Sequence, residues 1–428
     1  MNKKKSLPHS RGFNSVIFYG YVVATASFCI LVMVHGVRFS YGVFFTPMAR
    51  ELGWDSATTS LAYAISLFIE GAFNFLLGGL ADRYGPRLVI TFSGVVLALG
   101  YCLMPLVTST WQFFLFYGLI VGAGIGGIFV PLVVLIARWF AIRRNMMTGV
   151  VTSGVGIGML IIAPLANHLI STQGWRITFL IMGIATLLVT VISAQFLKKD
   201  PAALGLAPDG IKPKDVSIQA TAVKGLTFHE AIRTHQFWLA FFVLFCYGFG
   251  LLAINVHIVP DAIHLGISGP IAAGVLATIG GVQIIGRIGL GAAADRVGNK
   301  LIVLIGFIAT AAALFWIISI NSVWAFFFFA VLVGLFQGGI ASSQSPLVAH
   351  LFGLKSHGAI FGLCGFGFTF GSALGPYITG YIFDITGSYH NAFLIAIAVS
   401  IIGVILILLV KPVKLPSIKT LPFRNGSE

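Results

Sequence analysis

The chain has 428 residues, 58% of them hydrophobic and only 9% charged, with a mean hydropathy of +0.99 and a formal net charge of +14. Soluble chains carry about a quarter charged residues, whereas here apolar runs of about 20 residues recur from end to end, which excludes a soluble fold and implies a polytopic helical membrane protein. The basic balance invites a nucleic-acid partner, and the placement of the basic residues rules one out.

Taken in order, the apolar runs predict twelve spans, near 16–49, 56–80, 86–107, 111–137, 145–170, 175–197, 236–262, 268–294, 300–319, 323–350, 357–383 and 390–410. The basic N-terminus, Met1-Asn-Lys-Lys-Lys5, precedes a first run too long for the apolar region of a signal peptide, so that run reads as a retained span. With residues 1–15 on the cytoplasmic side, 22 of the 26 Lys and Arg fall there. Arg50 and Arg176 lie outside, and Arg38 and Arg287 within the membrane. That asymmetry is a topology signal, and it predicts both termini, including the tail 411–428, in the cytoplasm. The expected setting is the lipid bilayer of the cell or inner membrane, crossed many times.

Residues 198–235 form the one long polar stretch, with prolines at 201, 208 and 213, and read as a linker carrying a short amphipathic helix near 228–232. It divides the chain into six-span halves, 16–197 and 236–410. The halves repeat. Pro47 matches Pro260, a separation of 213, and the same separation relates Gly53 to Gly266, Gly78 to Gly291, Asp82-Arg83 to Asp295-Arg296, Gly85 to Gly298 and Trp111 to Trp324. Parallel six-span repeats suit an alternating-access transporter with its substrate near the midplane. All four cysteines fall inside spans, where they read as small packing residues rather than disulfides.

Arg287 stands out within this frame. It lies eight residues before Asp295, roughly 12 Å inside the end of the eighth span at 1.5 Å per residue. A guanidinium cannot shed its proton, so it needs a partner, a watery cavity or an anionic ligand there. The repeat aligns Gln283 with Glu70 and Arg287 with Asn74, a polar i, i+4 pair on one face of each helix. Glu70 lies about 18 Å from the helix end at Asp82 and is either a proton site or a hydrogen-bonded structural acid. Arg287 in turn either binds a substrate anion or is held in a permanent ion pair, with Glu70 as the candidate partner.

Arg38 and His35 fall in the outer third of the first span. Arg38 either snorkels to the outer surface or draws anions to the entrance. His35 and His257 either titrate or bond across helices. Runs such as 122–127, 154–158 and 365–371 supply glycine for close helix approach, and none follows a strand as a phosphate loop would. No metal-ligand spacing, nucleotide loop or nucleophile elbow occurs, which argues against an enzyme, and a receptor would be expected to carry a soluble signalling domain.

The stretch Gly78-Gly-Leu-Ala-Asp82-Arg83-Tyr-Gly85-Pro-Arg87 resembles the signature loop between spans two and three of the major facilitator superfamily, and Gly291-Ala-Ala-Ala-Asp295-Arg296 is its weaker copy. Two further segments, Phe39-Ser-Tyr-Gly-Val-Phe-Phe45 with Glu51-Leu-Gly-Trp54, and Gly375 through Phe393, are similar to monocarboxylate porters and their oxalate/formate-exchanger relatives. The resemblance implies twelve helices in two pseudo-symmetric halves and a carboxylate-binding arginine in span eight, at Arg287. Gln283 stands where the monocarboxylate porters carry an aspartate, and Phe39 near their first-span lysine. The exchangers' cation in span eleven has no match. By the same resemblance Tyr117, Asn255 and Gln337 surround the cavity, with Gln283 and His257 as further candidate substrate contacts, while Gly78, Asp82, Arg83, Gly85, Arg87, Asp295 and Arg296 form a cytoplasmic gate or serve only as tight turns. The expected activity is transport of a small monocarboxylate such as lactate, pyruvate or acetate, with a proton moving alongside and no bound cofactor, one chain being the functional unit. Exchange of organic anions is the alternative.

Overall fold

The computed structural model describes residues 18–54, 56–210, 225–319 and 322–413, and those are almost entirely helical. The expected charges at the two ends of the chain, and those at 211–224, lie outside the described residues. Eleven helices are long and apolar enough to cross a membrane. One of them, Arg144–Ala194, has 51 residues and breaks at Gly174, whose φ of 79° and ψ of 163° leave the helical region, so it supplies spans 5 and 6. Twelve spans result. The others are span 1 (Tyr19–Phe39, continued after Ser40 by Tyr41–Leu52), span 2 (Ser56–Tyr84), span 3 (Pro86–Leu103) and span 4, which runs in pieces from Thr110 to Trp139. After the linker come span 7 (His235–His264), span 8 (Gly269–Val297), span 9 (Asn299–Ser319), span 10 (Val323–Phe352), span 11 (His357–Thr386) and span 12 (His390–Leu409). The expected short linker helix is present at Phe228–Ile232, begun by a reciprocal cap between Thr227 and Glu230.

The sequence repeat is also a backbone repeat. Gly85 closes span 2 with φ 93° and ψ 152°, and Gly298 closes span 8 with φ 94° and ψ 147°. Only glycine takes that conformation without strain, so the turn restricts both positions. Pro86 then opens span 3 at a position where its missing N–H is not needed.

Helices in lipid gain no hydrophobic drive toward one another and associate through close packing of small residues. Span 1 lies along span 5, with Gly158 against the Val32 carbonyl and Gly154 against that of Phe28. Span 7 lies along span 11, where Gly371 meets the Phe245 carbonyl and Gly375 that of Phe249. The two halves meet where span 2 crosses span 11 and span 5 crosses span 8. There Gly78 faces Gly358, Gly362 faces Asn74, Gly291 faces Asn145 and Gly149 faces the Arg287 carbonyl.

These contacts set a sharp difference between neighbouring glycines. A Cβ at Gly371 would sit 2.1 Å from the Phe245 oxygen, whereas one at Gly365 on the same helix meets nothing within 4 Å. Gly371→Ala is expected to lower stability by about 1–3 kcal/mol through forced helix separation. Gly365→Ala should be neutral or slightly stabilising. Thermal unfolding of the two purified variants in detergent checks this, and equal melting temperatures would contradict it.

Candidate functional site

The basic face holds two matching contacts between the halves. Asp82, at the end of span 2, accepts from the Ala359 N–H at 3.2 Å in the first turn of span 11. Asp295, at the end of span 8, accepts from the Asn145 N–H at 2.8 Å, the Asn145 amide at 2.7 Å and the Met146 N–H at 3.0 Å, all in the first turn of span 5. Each carboxylate therefore caps a helix of the other half, where free N–H groups and the helix dipole favour negative charge. Gly78 and Gly291 let the helices come close enough for this.

The gate expected from the sequence divides here. Asp82 and Asp295 bridge the halves, while Arg83 and Arg296 are exposed and Arg83 lies over the Tyr84 ring at 5.2 Å. Arg87 bonds the Gln195 side chain within its own half. Arg138, which sequence reasoning counted only as a topology charge, pairs with Asp82 at 2.8 Å and with Asp200 at 3.5 Å. Lys199 donates to the Asp82 carbonyl at 2.7 Å.

Deeper in the bundle the polar residues form two groups. In the C-terminal half, Arg287 donates to the main-chain carbonyl of Thr152 on span 5 and, at 3.4 Å, to Gln283 Oε1. Gln283 donates to Gln337 Oε1 at 3.4 Å, and Tyr247 donates to the Gln337 carbonyl at 3.0 Å. Gln337 is 2% exposed, and its Nε2 is buried without a partner. Gly149 and Gly338 make this group possible, since a Cβ at either would strike the main chain at Arg287. Among the described residues Arg287 has no carboxylate partner.

In the N-terminal half, Arg38 faces Glu70 with both ends of its fork, at 3.0 Å to Oε1 and 2.5 Å to Oε2. This corrects two expectations. Arg38 turns inward rather than to the outer surface, and Glu70 is held by Arg38 rather than by Arg287. The physical reason is reach: the long Arg38 side chain spans the depth between its own backbone and Glu70, and a bidentate pair removes two buried charges at once. Tyr63, Tyr101 and Tyr117 lie within electrostatic range of Arg38. Tyr117 belongs to a π-helical turn, Phe114–Val121, and packs on Tyr41 with ring centroids 4.7 Å apart. His35 is buried against Phe129, within electrostatic range of both Arg38 and Arg287.

Asn74 and Asn255 each leave a buried Oδ1 unbonded. His257 bonds the Pro376 carbonyl of span 11 at 2.9 Å, and no hydrogen bond among the described residues joins Asn255 or His257 to Arg287.

The Arg38–Glu70 pair gives a measurable signature. Its side chains are 13% and 11% exposed, so removing one partner strands the other in a dry site. Arg38→Met and Glu70→Leu are each expected to cost about 3 kcal/mol, and the double variant should recover most of that loss. A double-mutant cycle on unfolding midpoints checks it, and additive losses would rule out the coupling.

Comparison with known proteins agrees with this architecture. The model of the Major Facilitator Superfamily matches residues 27–292 and 258–426, together nearly the whole chain. Monocarboxylate transporter 11 of Mus musculus is 28% identical over 388 residues, covering 88% of this chain and 84% of that one. The oxalate:formate antiporter of Oxalobacter formigenes is 27% identical over 398 residues, covering 90% and 89%. Among solved structures, the transporter FucP in the outward conformation superposes with a TM-score of 0.70 at 14% identity, covering 92% of this chain and all of that one. The proton:xylose symporter XylE superposes with a TM-score of 0.71 at 13% identity, covering 92% and 95%. The protein is an integral, multi-pass membrane transporter of the Major Facilitator Superfamily.

Proposed function

We propose that this protein carries small monocarboxylates across the membrane by alternating access, with Arg287 binding the carboxylate and one proton moving with it. The observation that carries the reading is the buried guanidinium of Arg287, whose partners are neutral oxygens from Thr152 and Gln283. A carboxylate is the stronger acceptor for a charged donor, so an arriving substrate takes the place of the Thr152 carbonyl. Gln283 and Gln337 border the same point, and the free Gln337 Nε2 supplies one more donor. The relatedness to monocarboxylate transporters and to an oxalate:formate antiporter supports the substrate class.

Charge balance supports the proton. The named interior charges are Arg38, Arg287 and Glu70, one net positive charge when the site is empty. Taking up one carboxylate and one proton leaves that sum unchanged, so loaded and empty forms cross the bilayer at equal electrical cost. Each uncompensated charge would otherwise feel about 2.3 kcal/mol per 100 mV. Glu70 accepts the proton by giving up Arg38, and His35, set within range of both cations, senses that exchange. The aspartate caps on the basic face hold the cytoplasmic ends together, so the substrate reaches Arg287 from the opposite side, where Tyr117, Asn255 and His257 lie along its path.

One observation favours anion exchange as a second reading: Glu70 is already neutralised by Arg38. An exchanger needs no proton site, because outgoing anion replaces incoming anion at Arg287.

Arg287→Ala is expected to abolish carboxylate uptake into proteoliposomes, and normal uptake by that variant would sink the assignment. Glu70→Gln should lose accumulation driven by a pH gradient yet retain exchange of labelled for unlabelled substrate. Symport acidifies the lumen as substrate enters, whereas exchange stops when the lumen holds no substrate, and a lumenal pH dye distinguishes the two.

A further inference from the structure

At the end of the C-terminal half away from the basic face, Asp261 stands one turn before the end of span 7 and is 7% exposed. Among the described residues its carboxylate accepts no hydrogen bond and joins no ion pair. Buried carboxylates are ordinarily bonded, and an unpaired ionised one in an apolar enclosure is costly. Its neighbours in sequence, Ile258 and Ala262, belong with Ile267, Tyr389 and Phe393 to one buried apolar cluster, and Tyr389 at the head of span 12 lies within electrostatic range of Asp261. So nearly buried a place suits the neutral acid, and ionisation favours any arrangement that gives the oxygens more water than the 7% exposure of this one.

His257 lies one turn earlier on the same face. Its Nε2 is bonded to the Pro376 carbonyl, which can only accept, so Nε2 carries the hydrogen and Nδ1 is left with its lone pair, buried and unbonded. Tyr389 joins the two groups, since its ring lies 5.4 Å from that of His257 and it is within electrostatic range of both Asp261 and Asp384. Phe383 of span 11 stacks on Tyr389 at 4.2 Å, and His264 meets Phe383 edge-on at 5.4 Å. The titratable groups facing this corner are thus His257 and His264 from span 7, Asp384 from span 11, and Tyr389 and His390 at the head of span 12. The first turn of span 8, Gly269 to Ala272, brings none.

The corner also sits beside two prolines inside continuous helices. Asp261 follows Pro260 within span 7, and His257 is tied to Pro376 within span 11. Proline removes a main-chain bond and is where helices bend. A change in charge here acts directly on two helices able to tilt.

We propose that Asp261, with His257 beside it, is a proton-binding site that sets how tightly the far ends of spans 7, 11 and 12 close, separate from the site at Arg287 and independent of which anion is carried. With a proton on Asp261 the corner is apolar and closed. Loss of that proton leaves an unpaired charge whose hydration improves as the three ends part, so rising pH on that side favours the open corner and falling pH the closed one.

Hydrogen–deuterium exchange of the full chain in lipid nanodiscs, without any carboxylate present, tests this. After correction for the intrinsic pH dependence of exchange, the segments 255–268 and 380–393 are expected to exchange about tenfold faster across two pH units that straddle the titration, since one group shifts the opening by at most about tenfold per unit. Asp261→Asn, which copies the neutral acid, should remain slow at every pH, and Asp261→Glu should restore the step. A step that survives Asp261→Asn, or its absence from the unaltered protein, would overturn the proposal. Because no substrate is used, either result leaves the carboxylate reading to stand or fall by uptake alone.

Discussion

A guanidinium held inside a bilayer keeps its charge, and the bundle answers that constraint twice in different ways. Arg38 is met by Glu70 through two short contacts, which removes a full positive and a full negative charge together. Arg287 is met by a main-chain carbonyl and a side-chain amide, whose partial charges satisfy its hydrogens without cancelling its charge. The interior therefore keeps one positive charge that the protein itself does not neutralise. Under the proposed function that residual charge is what makes the surroundings of Arg287 a place for an anion, and two glycines let neighbouring helices approach it. Span 8 reaches span 5 only because position 149 has no side chain, and reaches span 10 only because position 338 has none.

The same logic governs the basic face, where charge is spent on helix ends instead of ligands. Asp82 and Asp295 occupy equivalent places in the two halves, and each caps a helix that belongs to the other. The two caps are not chemically equal. Asp82 also pairs with Arg138, whereas Asp295 is bonded by the Asn145 amide and two main-chain N–H groups. A carboxylate cap depends on helix ends staying within about 3 Å of the acid, and hydrogen bonds weaken steeply beyond that. Under the proposed alternating access, a small tilt of one half against the other would release both caps together, which favours two discrete arrangements over a continuum.

Much of the fold was legible because its signals are local. Apolar run length placed the spans, the break at Gly174 falls in the short gap between the fifth and sixth predicted runs, and the matched glycines at 85 and 298 share one backbone conformation. The short linker helix expected near 228–232 is present, and the structure adds the reciprocal cap between Thr227 and Glu230 that begins it. Partnerships across helices were not legible, for a physical reason. Helices that are apolar on all sides carry little periodic signal to say which way each face turns, so the meeting of Arg38 with Glu70 had no local trace. Arg138 looked like any other topology charge. The Thr152 carbonyl was beyond sequence reasoning altogether, since a main-chain acceptor has no residue signature, and only the nearby glycines at 149, 154, 156 and 158 hinted that this stretch of span 5 is approached closely.

The repeat gives the difference between the halves its meaning. Two halves with one backbone plan place Glu70 opposite Gln283 and Asn74 opposite Arg287, so the N-terminal half holds an acid where the other holds an amide, and the C-terminal half holds a cation where the other holds an amide. Had Glu70 met Arg287, the two charges would have cancelled across the interface and tied the halves together at their centre. Arg38 prevents this by engaging Glu70 within its own half. Among the described residues the hydrogen bond that Arg287 makes across the centre is then the one to the Thr152 carbonyl, and under the proposed function an anion replaces it. Under the proposed function this is the decisive step: the ligand that neutralises Arg287 is also the one that severs the central tie between halves, so binding and the freedom to move follow from the same exchange of partners.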